Sequence, residues 1–399
     1  MTGAARYALA LTRLPGVGRR TAVLVLERFP DEESLAAASE PALFSACGAR
    51  AARALMAGLA TGWAPALDWA NDQIERHERS GVVLVPFGGS TYPALLARSP
   101  DPPVLLFVRG DVSALDAALP VAVVGTRHPT RRGREIARRL GVRLAEMGAV
   151  VVSGLAQGID TAGHEGALEA GRTVAVLGTA IDQIYPAENK ALAGRIESRG
   201  ALVSEYAMGA VGRADAFVER DRIQAGLSVA IIPVQTRLKG GTQHTIKFAF
   251  EAGRRVLCPR PADAEIAAPE NEGILDLVRD GRATLFDAAD LPRLRADLVA
   301  LRDALMTEPP VAAAARRAKG ARRKQSMATE DASTLGLLPD DPIRVEPSRD
   351  AGHAGPAYHT IDEVIAALDD VLSRMGPAYD QTAFDDIVRH WRRRRYPRD

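Results

Sequence analysis

The chain has 399 residues, 47% of them hydrophobic, which suits two or three domains around a sizeable core. Its 51 basic and 50 acidic side chains leave a formal charge of +1, so bulk charge gives no sign of a polyanionic partner and any such sign must be local. Two distant cysteines, Cys47 and Cys258, argue against a disulfide framework or a thiolate metal site, and no run of about 18 apolar residues is present; a cytoplasmic protein with no membrane contact is expected.

Residues 1–75 read as helical. Leu14-Pro15-Gly16-Val17-Gly18 lies between two apolar-periodic helices and resembles a helix-hairpin-helix turn, with a weaker copy at Ala46-Cys47-Gly48-Ala49-Arg50. Glycines allow the tight turn, and N–H groups at the next helix start can face a phosphate. Gly16, Gly18, Arg19 and Arg20 are therefore candidates for secondary DNA contacts, the alternative being a turn that only packs on the next domain or docks a protein.

Residues 76–306 alternate short strands and helices, the pattern of a doubly wound, mostly parallel α/β sheet. Eight nearly continuous apolar runs predict strands at Val82–Val85, Val104–Val108, Val121–Val124, Val150–Val152, Thr173–Leu177, Ala201–Val203, Val229–Ile232 and Arg255–Leu257. The third ends in Gly125-Thr126-Arg127 before a helix expected from about Arg134, a usual place for anion binding in such sheets. The fourth leads into Ser153-Gly154, then Gly158 and Asp160, which is read as the N-cap of a helix carrying a hydrogen-bonded, structural His164. Lys239-Gly240-Gly241-Thr242, with Thr245, forms a second glycine turn into a helix.

Residues 307–355 are rich in alanine and charge and read as a flexible basic linker, including the Arg316–Lys324 cluster. Residues 356–399 form a two-helix unit opened by a Thr360/Glu363 capping box and ending in a basic tail, where Arg392 and Arg393 are further candidate DNA contacts beside Trp391 and Tyr396. A solvated helix end is the plainer reading of that tail.

The blocks VAVVGTR, SGLAQGIDTAGHEGAL, VAVLGTAIDQIYPAENKAL, LVSEYAMG and DRIQAGLS, in this order and preceded by YPALLARSPDPPVLLFVRGD, resemble those of the DprA/Smf family over roughly Tyr92 to Phe286. The resemblance implies an extended Rossmann domain that binds single-stranded DNA in a basic pocket, dimerises through that domain and helps to load a RecA-type recombinase, with no cofactor, no metal and no bond broken. Carried over, the pocket comprises Gly125, Thr126, Arg127, Ser153, Gly154, Arg220, Arg222, Lys239, Gly241, Thr242 and Thr245. The chain departs from the family in three places: Phe-Pro-x-Arg-Asn-Arg becomes Phe217-Val218-Glu219-Arg220-Asp221-Arg222, Gln157 replaces a basic residue, and no winged-helix tail is recognisable. The added acids either weaken phosphate attraction or hold the arginines by ion pairing.

Two alternatives stay open. The same pocket can serve as a sensor of a nucleotide or nucleotide-derived signal. A nucleoside-phosphate hydrolase is the weaker rival, because no acid follows the glycine turn before Glu251. The phosphate loop of ATPases, the dinucleotide glycine fingerprint and the nucleophile elbow are all absent from the sequence.

Overall fold

The computed structural model describes residues 2–213 and 215–308. Nearly all of the expected linker, the C-terminal unit, the Arg316–Lys324 cluster, Arg392 and Arg393 lie outside the described residues. No described helix is long and apolar enough to cross a membrane.

Five helices come first: α1 (Thr2–Arg13), α2 (Arg19–Arg28), α3 (Glu32–Ala36), α4 (Glu40–Cys47) and α5 (Ala49–Arg79). Gly16 and Gly48 take φ of 75° and 83°, so both expected turns use the left-handed conformation that glycine tolerates. The turn packs closely inward, since a Cβ on Gly16 would meet Ala54 Cβ at 3.1 Å.

The chain then forms β1 (Val83–Pro86), α6 (Ala94–Ala97), β2 (Leu105–Gly110), β3 (Pro120–Val124), α7 (Arg131–Glu146), β4 (Val150–Ser153), α8 (Ile159–Ala170), β5 (Thr173–Leu177), α9 (Lys190–Arg199) and β6 (Ala201–Ser204). It continues through α10 (Ala216–Leu227), β7 (Ala230–Pro233), α11 (Thr242–Glu251), β8 (Arg255–Pro259), α12 (Glu272–Arg279), β9 (Thr284–Phe286) and α13 (Leu291–Thr307). All eight predicted strands form. The three-residue β9 was too short to show as an apolar run. Helix α7 starts three residues before the expected Arg134, because the Thr130 hydroxyl caps it by accepting from Gly133 N at 2.9 Å.

The sheet order is β1-β2-β6-β5-β4-β3-β7-β8-β9, with β1 and β2 antiparallel to their neighbours and every other pairing parallel. The winding runs from β3 through β4 and β5 to β6 on one side and from β7 through β8 to β9 on the other, so it reverses between β3 and β7. In open α/β sheets that reversal leaves a crevice at the carboxyl ends of the strands.

Both faces of the sheet are covered. Along β3, Val121 and Val123 pack with Ala137, Leu140 and Ile159 of α7 and α8, while Ala122 and Val124 pack with Ala225 and Ile246 of α10 and α11. A third cluster joins the N-terminal helices to the sheet, running from Tyr7, Leu11 and Leu55 to Phe107, Leu177 and Leu202. His77 fastens that junction: fully buried, it stacks on Phe107 at 4.6 Å, donates from Nδ1 to Gln73 O and accepts from Met208 N at Nε2. Burial lowers its pKa and keeps the ring neutral.

Helices α7 and α8 approach so closely that a Cβ on Gly166 would lie 1.9 Å from Arg138 O, and one on Gly141 would lie 2.4 Å from Gly163 O. Gly166→Ala must push the helices apart, and a loss of roughly 2 kcal/mol or more is expected in denaturant unfolding. An unchanged midpoint would show that this contact has slack.

Candidate nucleic-acid interface

A cleft of about 370 Å³ opens where the winding reverses. The β3 exit contributes Gly125, Thr126, Arg127 and His128; α8 contributes Asp160; α10 contributes Arg220, Asp221 and Gln224; and the β7–α11 turn contributes Thr236, Arg237, Gly240, Gly241, Thr242 and Thr245. The β3 exit must be glycine, since a Cβ on Gly125 would lie 2.5 Å from Ile159 Cγ1 and 2.9 Å from Gln235 O. Gly158, at φ 87°, brings the start of α8 against Thr126 O and Arg127 O. Helix α11 has no side-chain cap; Gln243 N and His244 N donate to Gly240 O and Gly241 O, which leaves the Thr242 N–H at its start for an anion in the cleft.

Arg220 is only 8% exposed. Its guanidinium fills the space a side chain on Gly154 would need, with Nη1 1.9 Å from the ideal Cβ position. It donates to Val176 O at 3.0 Å, and the Gln224 amide oxygen, in its satisfied orientation, accepts from both Gly154 N and Arg220. Nε lies 3.1 Å from Asp221 Oδ1 but is not aligned for a hydrogen bond, which leaves this an ion pair with one unpaired donor. Arg127 has no ion-pair partner among the described residues.

Asp160 was expected to be an N-cap. The structure puts Gly158 at that position and Asp160 in the first turn, buried, with its carboxylate accepting from Ala156 N at 3.4 Å. The absence of a nearby acid, held against hydrolysis, does not survive either: Asp160 and Asp221 reach the glycine turn from other elements. Both carboxyls are raised. Burial is the main cause for Asp160, opposed by Arg220 and Ser153. Burial also leads for Asp221, pushed up to about 6, where Asp160 raises it further and Arg220, Thr245 and Arg127 oppose. His164 does take the structural role expected: buried, its pKa lowered by burial to about 4, it bonds Thr173 Oγ1 at 2.7 Å and Gly154 O at 2.5 Å.

A second cavity of about 390 Å³ adjoins the first, sharing Arg127, Ala156 and Arg220 with it. Its wall is more apolar and includes Ile184, Tyr185, Pro186 and Phe217. Tyr185 is 54% exposed and its ring lies 5.4 Å from that of Phe217. Nothing in local sequence marks these residues as a pair, since Tyr185 comes from the loop after β5 and Phe217 from the first turn of α10.

The family model for DNA recombination-mediator protein A matches residues 84–293, more than half of the chain. The chain belongs to this family. Among its relatives, the DNA processing protein DprA of Bacillus subtilis is 33% identical over 216 residues, covering 54% of this chain and 72% of that protein. Protein Smf of Synechocystis is 35% identical over 223 residues, and the match spans 55% of each chain. The solved structure of DprA from Streptococcus pneumoniae superposes with a TM-score of 0.58 at 29% identity, covering 72% of this chain and 95% of that one.

The DprA-type residues carried over from sequence separate into three groups. Gly125, Thr126, Arg127, Arg220, Gly241, Thr242 and Thr245 line the cleft together. Ser153 and Gly154 stand behind it: the Ser153 hydroxyl donates to Val123 O at 2.6 Å and Gly154 supports Arg220. Lys239 is exposed and outside the cleft lining, where Arg237, missed by sequence reasoning, is found paired with Glu270 at 2.6 Å. Glu219 also lies outside the lining, accepting from Tyr206 OH at 2.9 Å, whereas Gln157 lines the second cavity.

Arg222 is not brought to the cleft. Its side chain is 6% exposed and pairs with Glu205 at 2.5 Å and Asp101 at 3.6 Å. Arg19 joins the same two acids, at 2.5 Å to Asp101 and 3.7 Å to Glu205, and Arg20 reaches Asp101 at 3.4 Å. Burial pulls the Asp101 carboxyl up, but the bond from Arg19 and the charges of Arg19, Arg222 and Arg20 hold it below its ordinary value. The arginines after the hairpin turn, with Gly18 as N-cap of α2, therefore tie that turn to α10.

Arg222→Ala strips the half-buried Glu205 of its nearest cation and Asp101 of one of its three, and a loss of about 3 kcal/mol is expected in thermal or denaturant unfolding. A variant as stable as the parent would show the network to be dispensable. The Asp221 carboxyl predicts a pH effect. Its folded pKa lies above the unfolded value, so its penalty on stability is full above about 6 and is relieved as pH falls towards the ordinary carboxylate range. Protonation also removes a negative charge from the cleft, so affinity for a phosphate-bearing ligand should rise about tenfold between pH 7.5 and pH 5. Asp221→Asn should flatten that profile, and an unchanged profile in the variant would assign the effect to another group.

Proposed function

We propose that this chain binds single-stranded DNA in the β3–β7 cleft without breaking a bond. Backbone phosphate sits against Arg127, Arg220 and the Thr242 N–H at the start of α11, and an adjoining base stacks on Tyr185 beside Phe217. The observation that carries this reading is that Arg127 and Arg220 line both cavities, so a phosphate site and an exposed aromatic wall are contiguous. A duplex keeps its bases stacked inside and cannot offer one to such a wall, whereas a single strand can. Membership of a family of DNA processing proteins supports the reading. We extend it, on that membership alone, to a cytoplasmic homodimer formed through the Rossmann domain that passes the strand to a RecA-type recombinase.

Fluorescence anisotropy with labelled single strands of increasing length, a matched duplex and free nucleotides, at two salt concentrations, tests the proposal. Affinity should rise with strand length, fall with salt and favour single strands over duplex. Arg127→Ala and Tyr185→Ala, which remove no buried partner, should each weaken binding roughly tenfold while leaving the unfolding transition in place. Saturable binding of a mononucleotide with no dependence on length would replace this reading with that of a nucleotide sensor.

A further inference from the structure

Helix α7 carries six arginines and two glutamates, a local charge of +4 in a chain whose formal charge is only +1. Its first turn has no acid and begins Arg131-Arg132, an arrangement the helix dipole disfavours, so the stability of α7 does not account for it. Arg132, Arg139 and Arg143 fall on one stripe of the helix and, with Arg260 from beyond β8, border a groove of about 460 Å³. Its floor includes Leu140 and Phe286.

The four arginines are between 50% and 68% exposed, and each is held only by a short-range surface pair: Arg132 and Arg139 with Glu135, Arg143 with Glu146 at 2.8 Å and Arg260 with Asp287 at 3.0 Å. Exposed pairs of this kind are weak, so an arriving phosphate displaces the carboxylate at little cost. Arg131 and Arg134, also exposed, have no ion-pair partner among the described residues. The groove is continuous in sequence with the cleft: Arg127 and His128 line the cleft, Thr130 caps α7, and Arg132 begins the stripe. From Arg132 to Arg143 the stripe runs about 16 Å along the helix axis, long enough for several phosphates of an extended strand.

We propose that this groove is a second phosphate-tracking subsite, into which α7 leads a single strand after it leaves the β3–β7 cleft. The proposal rests on the binding reading above. The step along the chain from Arg127 in the cleft to Arg132 in the groove, with the local charge of +4 on α7, favours a nucleic-acid strand as the occupant over an acidic segment of a protein. Guanidinium groups suit the task because they pair bidentately with phosphate oxygens, and a row over an apolar floor follows a backbone without reading bases.

The test uses the full chain with Arg132, Arg139 and Arg143 all changed to alanine, which keeps helix propensity. Anisotropy is measured for single strands of about 5 and about 20 nucleotides across a salt series. The short strand, filling the cleft alone, should bind the triple variant as it binds the parent. The long strand should lose roughly tenfold, and its log–log salt slope should become shallower by about two, from three lost contacts. A long strand that binds the triple variant with parental affinity and slope, while Arg127→Ala weakens both lengths, overturns the groove and leaves the cleft reading intact. A parent that binds neither strand overturns both. Displacement of poly-glutamate, but not of the long strand, by the triple substitution overturns the proposal in favour of an acidic protein partner.

Discussion

The Arg220 guanidinium occupies the volume where Gly154 has no side chain, and the cleft is built around that contact. A cation so nearly excluded from water must be compensated. Val176 O, the Gln224 amide and the Asp221 carboxylate do this from three sides. The compensation has its own consequence: Asp221 and Asp160 are drawn into the same poorly solvated space, and both carboxyls rise above their ordinary values. The charge of the cleft therefore depends on proton occupancy as well as on its arginines.

The helix that carries Arg220 also anchors the N-terminal helices. Successive residues of an α-helix point about 100° apart, so Arg220 and Asp221 reach the cleft while Arg222 enters the network of Asp101, Glu205 and Arg19. One turn of α10 thus joins the cleft to the hairpin turn at Gly16–Gly18. The arginines beside that turn, which resemble phosphate ligands when read along the chain, are engaged by carboxylates of the sheet domain instead.

Local clustering of charge explains how a nearly neutral chain can be suited to a polyanion. Basic side chains concentrate at the β3 exit and along α7, while many acids are consumed in pairs elsewhere, as Glu219 is by Tyr206 and Arg213. The potential in the cleft is set by this distribution and by low-dielectric walls such as Tyr185 and Phe217. Asp221, where the family pattern has an amide, moderates that potential near neutral pH.

The order of elements, the eight apolar strands and the glycine turns were legible in the sequence, because the central strands, covered on both faces, must be continuously apolar and left-handed turns favour glycine. The successive blocks were enough to place the chain in its family. Which arginine faces the cleft was not legible: Arg220 and Arg222 sit two residues apart in one motif, and their fates are decided by Gly154, Val176, Asp101 and Glu205, from 17 to more than a hundred residues away. The same holds for Asp160, whose neighbour Asp221 comes from another helix, and for the Tyr185–Phe217 wall. Local sequence determines backbone conformation through short-range sterics and periodic burial. The partner of a charge, and hence its protonation and its availability to a ligand, is decided only when the sheet brings distant segments together out of water.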